Sequence, residues 1–264
     1  MNTESRQPDW VSDCGTVTLY RGDCLELLKT LPDGSVDAVV TDPPYSSGGM
    51  VRGDRMATTR NKYQNAGVQI EHANFSGDNR DQRAFGYWCA LWMSELRRIV
   101  RPGGMLCVFT DWRQLPSTTD SVQAGGWVWR GIVPWDKVLA RPQPGRFRAQ
   151  AEYMVWATNG PREFSTKNDP VYGAGVFRVC TPKDREHSTQ KPVELLEEIS
   201  KVVSPVGSTI LDPFMGSGTT GVACVTTGRN VIGIELGSDY FDIAKRRIQH
   251  ALAERGVFAQ QGAA

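Results

Sequence analysis

Hydrophobic positions along the chain follow two alternating patterns. Short runs rich in strand-forming residues predict strands at 17–20, 37–41, 105–110, 127–135, 152–157, 210–214 and 230–236. Between them, apolar residues recur with helical spacing and predict helices at 24–31, 82–100, 117–125, 192–203, 218–227 and 238–254. Strands that alternate with helices predict an α/β fold, in which a mostly parallel, twisted sheet carries helices on both faces. The ends, 1–15 and 256–264, show neither pattern and are expected to be loose.

Two stretches interrupt this alternation. Residues 46–81 are polar and rich in Gly, Asn and Arg, and a connector of this length is typical of a functional loop. Residues 138–186 begin with an Arg/Pro-rich run and contain little periodicity apart from one predicted strand. We therefore expect one domain over 1–264, with 138–186 as an inserted recognition segment and 46–81 as a second functional loop.

Composition narrows the class of protein. The chain of 264 residues is 40% hydrophobic and 22% charged with a formal net charge of +1, which is typical of a globular protein. No apolar run approaches the roughly 20 residues that span a bilayer. The first residues also lack the features of a secretory signal, so we expect a cytoplasmic protein without membrane attachment. The six cysteines form no C-x-x-C pair and the three histidines are widely spaced, so we expect neither a metal site nor a disulfide framework.

The small net charge conceals an uneven distribution. Segment 52–101 has nine Lys/Arg against five Asp/Glu, and 137–191 has ten against five, whereas 192–236 has two against five. Basic segments of this kind are typical of proteins that contact a polyanion such as nucleic acid. A solvated basic surface produces the same pattern, so charge alone leaves both interpretations open.

The second predicted strand, 37–41, is followed directly by the motif Asp42-Pro43-Pro44-Tyr45, an acid with two prolines and a tyrosine after it. Ligand sites of parallel sheets lie beyond the carboxyl ends of the strands. Because proline fixes φ near about −65°, the Pro43 carbonyl has a set direction beside the Asp42 carboxylate. Two neighbouring oxygens can accept both hydrogens of an NH2 group, and Tyr45 adds a flat aromatic face. By itself the motif fits an ordinary strand-to-loop turn equally well.

A glycine-rich turn follows a later strand, in the run Leu211-Asp212-Pro213-Phe214-Met215-Gly216-Ser217-Gly218-Thr219-Thr220. Its glycines allow a ligand to approach the backbone, and the helix N-terminus after them offers free N–H groups. A phosphate-binding loop would need Lys where Thr219 stands, so that alternative is disfavoured. The next strand ends in Glu235, and an acid there commonly accepts hydrogen bonds from ribose hydroxyls.

Together these motifs resemble those of the DNA amino-methyltransferases, which methylate exocyclic nitrogens with S-adenosylmethionine. Asp42-Pro43-Pro44-Tyr45 is similar to their catalytic motif and 211–220 to their cofactor motif, in the permuted order of the β subgroup. Gln190-Lys191-Pro192 is similar to the segment that packs on the methionine part of the cofactor. Gly22-Asp23-Cys24 is similar to the segment whose acid contacts the cofactor adenine. The resemblance covers about residues 16–137 and 187–254.

The resemblance implies a Rossmann-like methyltransferase fold in a single catalytic domain, with S-adenosylmethionine as cofactor and no metal. It implies catalytic roles for Asp42, Pro43, Pro44 and Tyr45. It implies cofactor contacts from Asp23, Cys24, Asp42, Lys191, Pro192, Asp212, Pro213, Phe214, Gly216, Ser217, Gly218, Thr219, Glu235 and Leu236. The two interrupting stretches and their flanks are expected to contact DNA through Arg52, Arg55, Arg60, Lys62, Lys137, Arg141, Arg146, Arg148, Lys183 and Arg185.

The reaction implied is methylation of adenine N6 after the base has been flipped out of the duplex. Asp42 favours adenine, because members of the family that act on cytosine N4 more often carry Ser there; cytosine N4 is the alternative. A methyltransferase of RNA or of protein glutamine, and a catalytically silent DNA-binding protein, are the other hypotheses. Asp42 in place of Asn disfavours glutamine, and the complete motif set disfavours the silent scaffold. Formation of a homodimer, a restriction endonuclease partner and a bacterial, archaeal or phage origin stay open.

Overall fold

The computed structural model describes residues 6–46, 80–140, 142–162, 171–182 and 190–261, with side chains to residue 256. The strands are β1 Trp10–Val11, β2 Val17–Arg21, β3 Val36–Thr41, β4 Val100–Thr110, β5 Val128–Asp136, β6 Ala151–Thr158, β7 Phe177–Arg178, β8 Thr209–Asp212 and β9 Asn230–Glu235. The helices are α1 Cys24–Leu28, α2 Gln82–Ile99, α3 Leu115–Ala124, α4 Val193–Val203, α5 Thr219–Thr226 and α6 Ser238–Gln261.

The strands form a mixed sheet in the order β1-β2-β9-β8-β3-β4-β6-β5-β7. Its five consecutive strands β2, β9, β8, β3 and β4 are parallel to one another. Strand β6 is antiparallel to both of its neighbours, β4 and β5, and β1 is antiparallel to β2. The prediction of an α/β fold with a mostly parallel sheet is therefore confirmed.

Side-chain alternation along the central strands explains why both faces of the sheet are covered. Ala38 and Val40 of β3 pack in a core cluster with α4, α5 and α6, whereas Val39 packs with α1, α2 and α3. Successive residues of a strand point to opposite faces, so the consecutive apolar residues Ala38, Val39 and Val40 are buried on both faces of the sheet. No helix in the described part of the chain is long and apolar enough to cross a membrane.

The structure corrects the sequence predictions mainly at the ends of the chain. Residues 1–15 were expected to be loose, but Trp10–Val11 pairs with β2, and the buried Ser12 hydroxyl accepts a hydrogen bond from Val17 N. Residues 256–264 were expected to be frayed, but α6 continues to Gln261. The two-residue strands β1 and β7 are too short to show any periodicity in the sequence. The partner of β7 on β5 is also distant in sequence.

Candidate active site

The predicted motifs meet at one edge of the sheet. Strands β3 and β8 are neighbours in the sheet. After β3 the chain continues to β4 on one side, and after β8 it continues to β9 on the other side. Where neighbouring strands connect in opposite directions, a crevice opens at their carboxyl ends. A cavity of about 270 Å³ lies there. Four chain segments that follow parallel strands line it: 22–24 after β2, 42–45 after β3, 212–217 after β8 and 235–237 after β9.

The Asp42 carboxylate is held by two side chains. Lys191 Nζ lies 2.5 Å from Asp42 Oδ2, and the Tyr45 hydroxyl donates a hydrogen bond to Asp42 Oδ1. Lys191 Nζ also donates to the Tyr45 hydroxyl oxygen at 3.1 Å. The sequence resemblance assigns Lys191 to the cofactor; it lines the cavity, but its ammonium group contacts the proposed catalytic acid.

A second carboxylate, which the sequence did not indicate, completes this cluster. Glu152 on β6 lies with Oε2 3.2 Å from Lys191 Nζ and with Oε1 3.2 Å from Lys137 Nζ. The four charges of Asp42, Lys191, Glu152 and Lys137 cancel formally. Lys137, which is expected to contact DNA, has its partly buried ammonium on Glu152 and supplies one of the counter-ions that an acid at this depth requires.

Burial and charge shift the pKa values in this cluster. Burial raises the pKa of Asp42, and Glu152 adds to that effect while Lys191 opposes it. Burial would lower the pKa of Lys191, but Asp42 and Glu152 outweigh it and raise that pKa. Burial together with Asp42 raises the pKa of Tyr45 well above 10. Lys191 is therefore charged at neutral pH, and Tyr45 is a neutral hydrogen-bond donor.

Asp212 braces the strand that carries the catalytic motif. Its Oδ1 accepts hydrogen bonds from Thr41 Oγ1 at 2.7 Å and from Phe214 N at 3.1 Å. Burial raises the Asp212 pKa to about 6. Asp212 lines the cavity, as the resemblance implies, but these hydrogen bonds also fix Thr41, the residue that precedes Asp42.

Glu235 connects the glycine-rich turn to the end of β9. Its two carboxylate oxygens accept hydrogen bonds from Gly216 N and Gly237 N, each at 2.8 Å. Burial raises the Glu235 pKa. Gly216 lines the cavity, and no atom outside its immediate neighbours lies within 4 Å of the position its Cβ would occupy. This is the open approach that a backbone-binding ligand requires.

Two residues assigned to the cofactor do not line the cavity. Gly218 has φ +80°, and a Cβ there would lie 2.8 Å from the Ala244 Cβ atom, so this glycine permits contact between α5 and α6. Pro192 is the N-cap residue of α4. The remaining cofactor candidates line it: Asp23, Cys24, Asp42, Lys191, Asp212, Pro213, Phe214, Gly216, Ser217, Thr219, Glu235 and Leu236.

We expect Gly218→Ala to lower the free energy of unfolding by about 3 kcal/mol, because it adds left-handed strain to a steric overlap with Ala244. Gly216→Ala is the matched control: φ is +52° but no atom crowds the added methyl group, so we expect a loss of about 1–2 kcal/mol. Urea unfolding followed by circular dichroism measures both. Equal losses in the two variants would contradict the packing role of Gly218.

Two aromatic side chains form a wall of the cavity: Phe214, which the resemblance assigns to the cofactor, and Trp88, which sequence reasoning missed. Trp88 and Phe214 both line it, with ring centroids 5.2 Å apart, and the Arg80 guanidinium lies 4.2 Å from the Trp88 ring centroid. Trp88 and Trp92 are four residues apart, and this helical spacing by itself predicts a core position for both. Only Trp92 is fully buried. Helical periodicity identifies the inward side of a helix but not the point where that side borders a cavity.

The cavity offers hydrogen-bond acceptors and aromatic faces rather than a nucleophile or a metal site. Cys24 lines it, but burial raises the pKa of its thiol to about 12, so a reactive thiolate is absent at neutral pH. Within the described ranges, no group of His, Cys, Asp and Glu is arranged to hold a metal ion. Such a site suits transfer between bound ligands, without a covalent enzyme intermediate.

Three of the basic residues expected to contact DNA belong to the described part of the chain: Lys137, Arg146 and Arg148. Arg146 and Arg148 are exposed in the loop between β5 and β6. The others, apart from Lys137, lie outside the described residues: Arg52, Arg55, Arg60, Lys62, Arg141, Lys183 and Arg185.

Comparison with known proteins identifies a family and several relatives. A family model described as DNA methylase matches residues 36–246. The Type II methyltransferase M.HinfI of Haemophilus influenzae is 30% identical over 253 residues, covering 88% of this chain and 68% of that protein. The crystal structure of the M1.HpyAVI–SAM complex has a TM-score of 0.64 and 26% identity, covering 88% of this chain and 98% of that one. The cytosine-N4-specific PvuII DNA methyltransferase shares the fold, with a TM-score of 0.66 and 17% identity over 92% and 89% of the two chains.

Proposed function

Because the chain belongs to the N6/N4 DNA methylase family, we propose that it transfers the methyl group of S-adenosylmethionine to the N6 nitrogen of adenine in DNA. The observation that carries this proposal is the convergence of Asp42, Tyr45, Gly216 and Glu235 on one cavity. The relative of known structure that was crystallised with SAM supports the choice of methyl donor.

The residues around the cavity fit the cofactor. Glu235 lies at the end of β9, where an acid commonly accepts ribose hydroxyls, and each of its oxygens can accept further hydrogen bonds. Asp23 follows β2 and lines the same cavity as the Trp88 and Phe214 rings, and the resemblance assigns it to the adenine of the cofactor. Gly216 leaves its backbone open to the ligand. When bound, the cofactor supplies an electrophilic sulfonium methyl group.

The chain's own contribution to the reaction is orientation and electrostatics. The N6 lone pair of adenine is delocalised into the ring, so the amino group is a weak nucleophile. Asp42 Oδ and the Pro43 carbonyl accept the two amino hydrogens and favour a tetrahedral nitrogen whose lone pair is free. Lys191 and Tyr45 keep the Asp42 carboxylate in one orientation before the base arrives, which is electrostatic preorganisation. The Tyr45 ring supplies a face on which the flipped base stacks.

The choice of adenine rests on Asp42, the first residue of the catalytic motif. The fold does not select the base, since the PvuII enzyme, named as cytosine-N4-specific, has the same architecture. Cytosine N4 is the second candidate, because its amino group presents the same two hydrogens to Asp42 and the Pro43 carbonyl.

Mass spectrometry of nucleosides tests the proposal directly. Plasmid DNA is incubated with the protein and S-adenosylmethionine, digested and analysed, with the Asp42→Ala variant as control. We expect N6-methyladenine from the wild-type protein and none above background from the variant. N4-methylcytosine would overturn the base assignment and keep the mechanism. The absence of any methylated nucleoside, despite cofactor binding, would contradict the proposed function.

We expect Glu235→Gln to weaken binding of S-adenosylmethionine about ten- to a hundredfold, because hydrogen bonds from the ribose to a charged acceptor are lost. Gln retains one acceptor oxygen, which limits damage to the turn held through Gly216 N. Isothermal titration calorimetry measures the affinity, and Glu198→Gln, an exposed carboxylate on α4, is the matched control. Unchanged affinity in the Glu235 variant would remove this residue from the cofactor site.

We expect the double replacement of Arg146 and Arg148 by Ala to weaken DNA binding and to flatten its salt dependence. Each phosphate contact that is lost should reduce the slope of log K against log salt by about 0.9. Fluorescence anisotropy over a series of salt concentrations measures the slope. The control replaces Lys29 and Lys201, two exposed lysines that pair with a glutamate on their own helices. Equal slopes in the two double variants would place the DNA elsewhere.

A further inference from the structure

The loop between β5 and β6 leaves the sheet at the edge that carries the active site. Strand β6 is antiparallel to both β4 and β5, so β5 runs in the same direction as β4 and ends at the same edge. Three strand spacings separate β5 from β3 in the sheet order. At about 4.8 Å per spacing, β5 lies about 14 Å from β3 across the sheet. The register places Ile132 level with Thr41, so β5 continues four residues past the end of β3, where Asp42 follows.

The base of this loop is firmly held. The Asp136 carboxylate accepts hydrogen bonds from Val138 N at 2.8 Å and from Gln150 Nε2 at 2.7 Å, and Lys137 N donates to Gln150 O at 2.9 Å. Lys137 and Glu152, one on each side of the loop, form the ion pair that continues to Lys191 and Asp42. A series of three ion pairs therefore links the base of the loop to the proposed catalytic acid.

The outer part of the loop combines an exposed aromatic ring with positive charge. Phe147 is fully exposed, and its neighbours Arg146 and Arg148 are exposed as well. Between Asp136 and Glu152 the sequence has four basic residues and no acidic one. Phe147 belongs to neither core cluster, so packing among the described residues gives no reason for an aromatic residue here. Phe147 lies between two arginines in sequence. Guanidinium groups bind phosphates, and an aromatic ring can stack on flat bases. A base-paired duplex offers both, with phosphates on its surface and stacked bases in its interior.

We infer that Phe147 is the wedge of this enzyme: its ring enters the base stack of the duplex at the step vacated when the target base is flipped out. The inference rests on the proposed function, since a base inside a duplex cannot reach Asp42 without leaving the stack. Tyr45 cannot serve as the wedge, because its hydroxyl is bound to Asp42 and its ring lies beside Lys191. Arg146 and Arg148 would hold the phosphates that flank the opened step.

The test compares Phe147→Ala with the wild-type full chain on two synthetic duplexes. Both contain a sequence whose methylation has been mapped on the treated plasmid by sequencing that detects modified bases. In one duplex the target base is paired, and in the other an abasic site lies opposite it. Single-turnover methylation is measured on each. Val206→Ala is the matched control, because Val206 is an exposed apolar residue that precedes β8 and so lies at the opposite edge of the sheet.

On the paired duplex, we expect Phe147→Ala to methylate about tenfold more slowly or worse than the wild type. On the abasic duplex, where little pairing has to be broken, we expect rates within about twofold. Phe147→Trp should retain most of the wild-type rate on both duplexes, and thermal unfolding of all variants should match the wild type. Wild-type rates for Phe147→Ala on both duplexes, or equal losses on both, would overturn the wedge and leave the proposed function intact. If the wild-type protein methylated neither duplex, the proposed function and the wedge would fail together.

Discussion

Asp42→Ala is expected to lower the methyl-transfer rate about a thousandfold, while affinity for S-adenosylmethionine stays within about threefold. In the proposed mechanism the carboxylate is the acceptor that makes the amino nitrogen nucleophilic, and loss of one preorganised electrostatic contact costs about 3–4 kcal/mol in the transition state. The proposed ribose acceptor Glu235 and the glycine-rich turn belong to other segments of the cavity lining, so cofactor binding should persist.

Single-turnover methylation and calorimetry together measure this separation of rate from affinity. Asp42→Asn should retain more activity than Asp42→Ala, because its carbonyl oxygen still accepts one hydrogen bond. Asp33→Asn, an exposed carboxylate paired with Arg98, is the control and should leave both quantities unchanged. Full activity in Asp42→Ala would refute the mechanism, and a parallel loss of cofactor affinity would assign Asp42 to the cofactor instead.

Lys191→Met is the substitution with the largest expected effect on stability. It leaves the Asp42 and Glu152 carboxylates close together without the ammonium group between them, and side-chain exposures of 26% and 20% give little solvent compensation. Removing one partner of a buried ion pair costs about 3–5 kcal/mol. We expect a loss of that order in the free energy of unfolding at neutral pH, measured by urea titration.

Two further variants identify the cause. Adding Glu152→Gln to Lys191→Met should recover part of the lost stability, because one of the unpaired charges disappears. Lys201→Met removes an exposed lysine from its ion pair with Glu198 and should change stability by less than about 0.5 kcal/mol. If the midpoint of urea unfolding were the same for Lys191→Met and the wild type, the charged cluster would have no role in stabilising the fold.

The pH dependence of Lys191→Met has a defined sign. Lys191 lowers the pKa of Asp42 in the wild-type protein, so its removal should raise that pKa further. The neutral Asp42 carboxyl group is a weaker hydrogen-bond acceptor than the carboxylate. The acid limb of the pH–rate profile should therefore move to higher pH in the variant. The stability deficit should shrink as the pH falls, because neutral carboxyl groups need no counter-ion.

Much of the fold could be predicted from the sequence because the relevant signals are local. The continuous apolar run of β3 marks a strand buried on both faces, and the alternation of strands with helices indicates a mostly parallel sheet. The same logic places Asp42, Gly216 and Glu235 after the carboxyl ends of parallel strands. They therefore had to meet at one edge of the sheet, and they line the same cavity.

The pairing of charges within the site was decided by the tertiary structure alone. Lys191 contacts an acid 149 positions away, and Glu152 reaches it from the antiparallel strand β6, with no signal in sequence spacing. Gly216 and Gly218 are two residues apart in one turn; one faces the cavity and the other faces Ala244. Hydrophobic period and turn chemistry depend on neighbours along the chain, so the sequence by itself determined the sheet, its helices and the edge that bears the motifs. Ion pairs and packing depend on distances between segments that only the completed fold brings together.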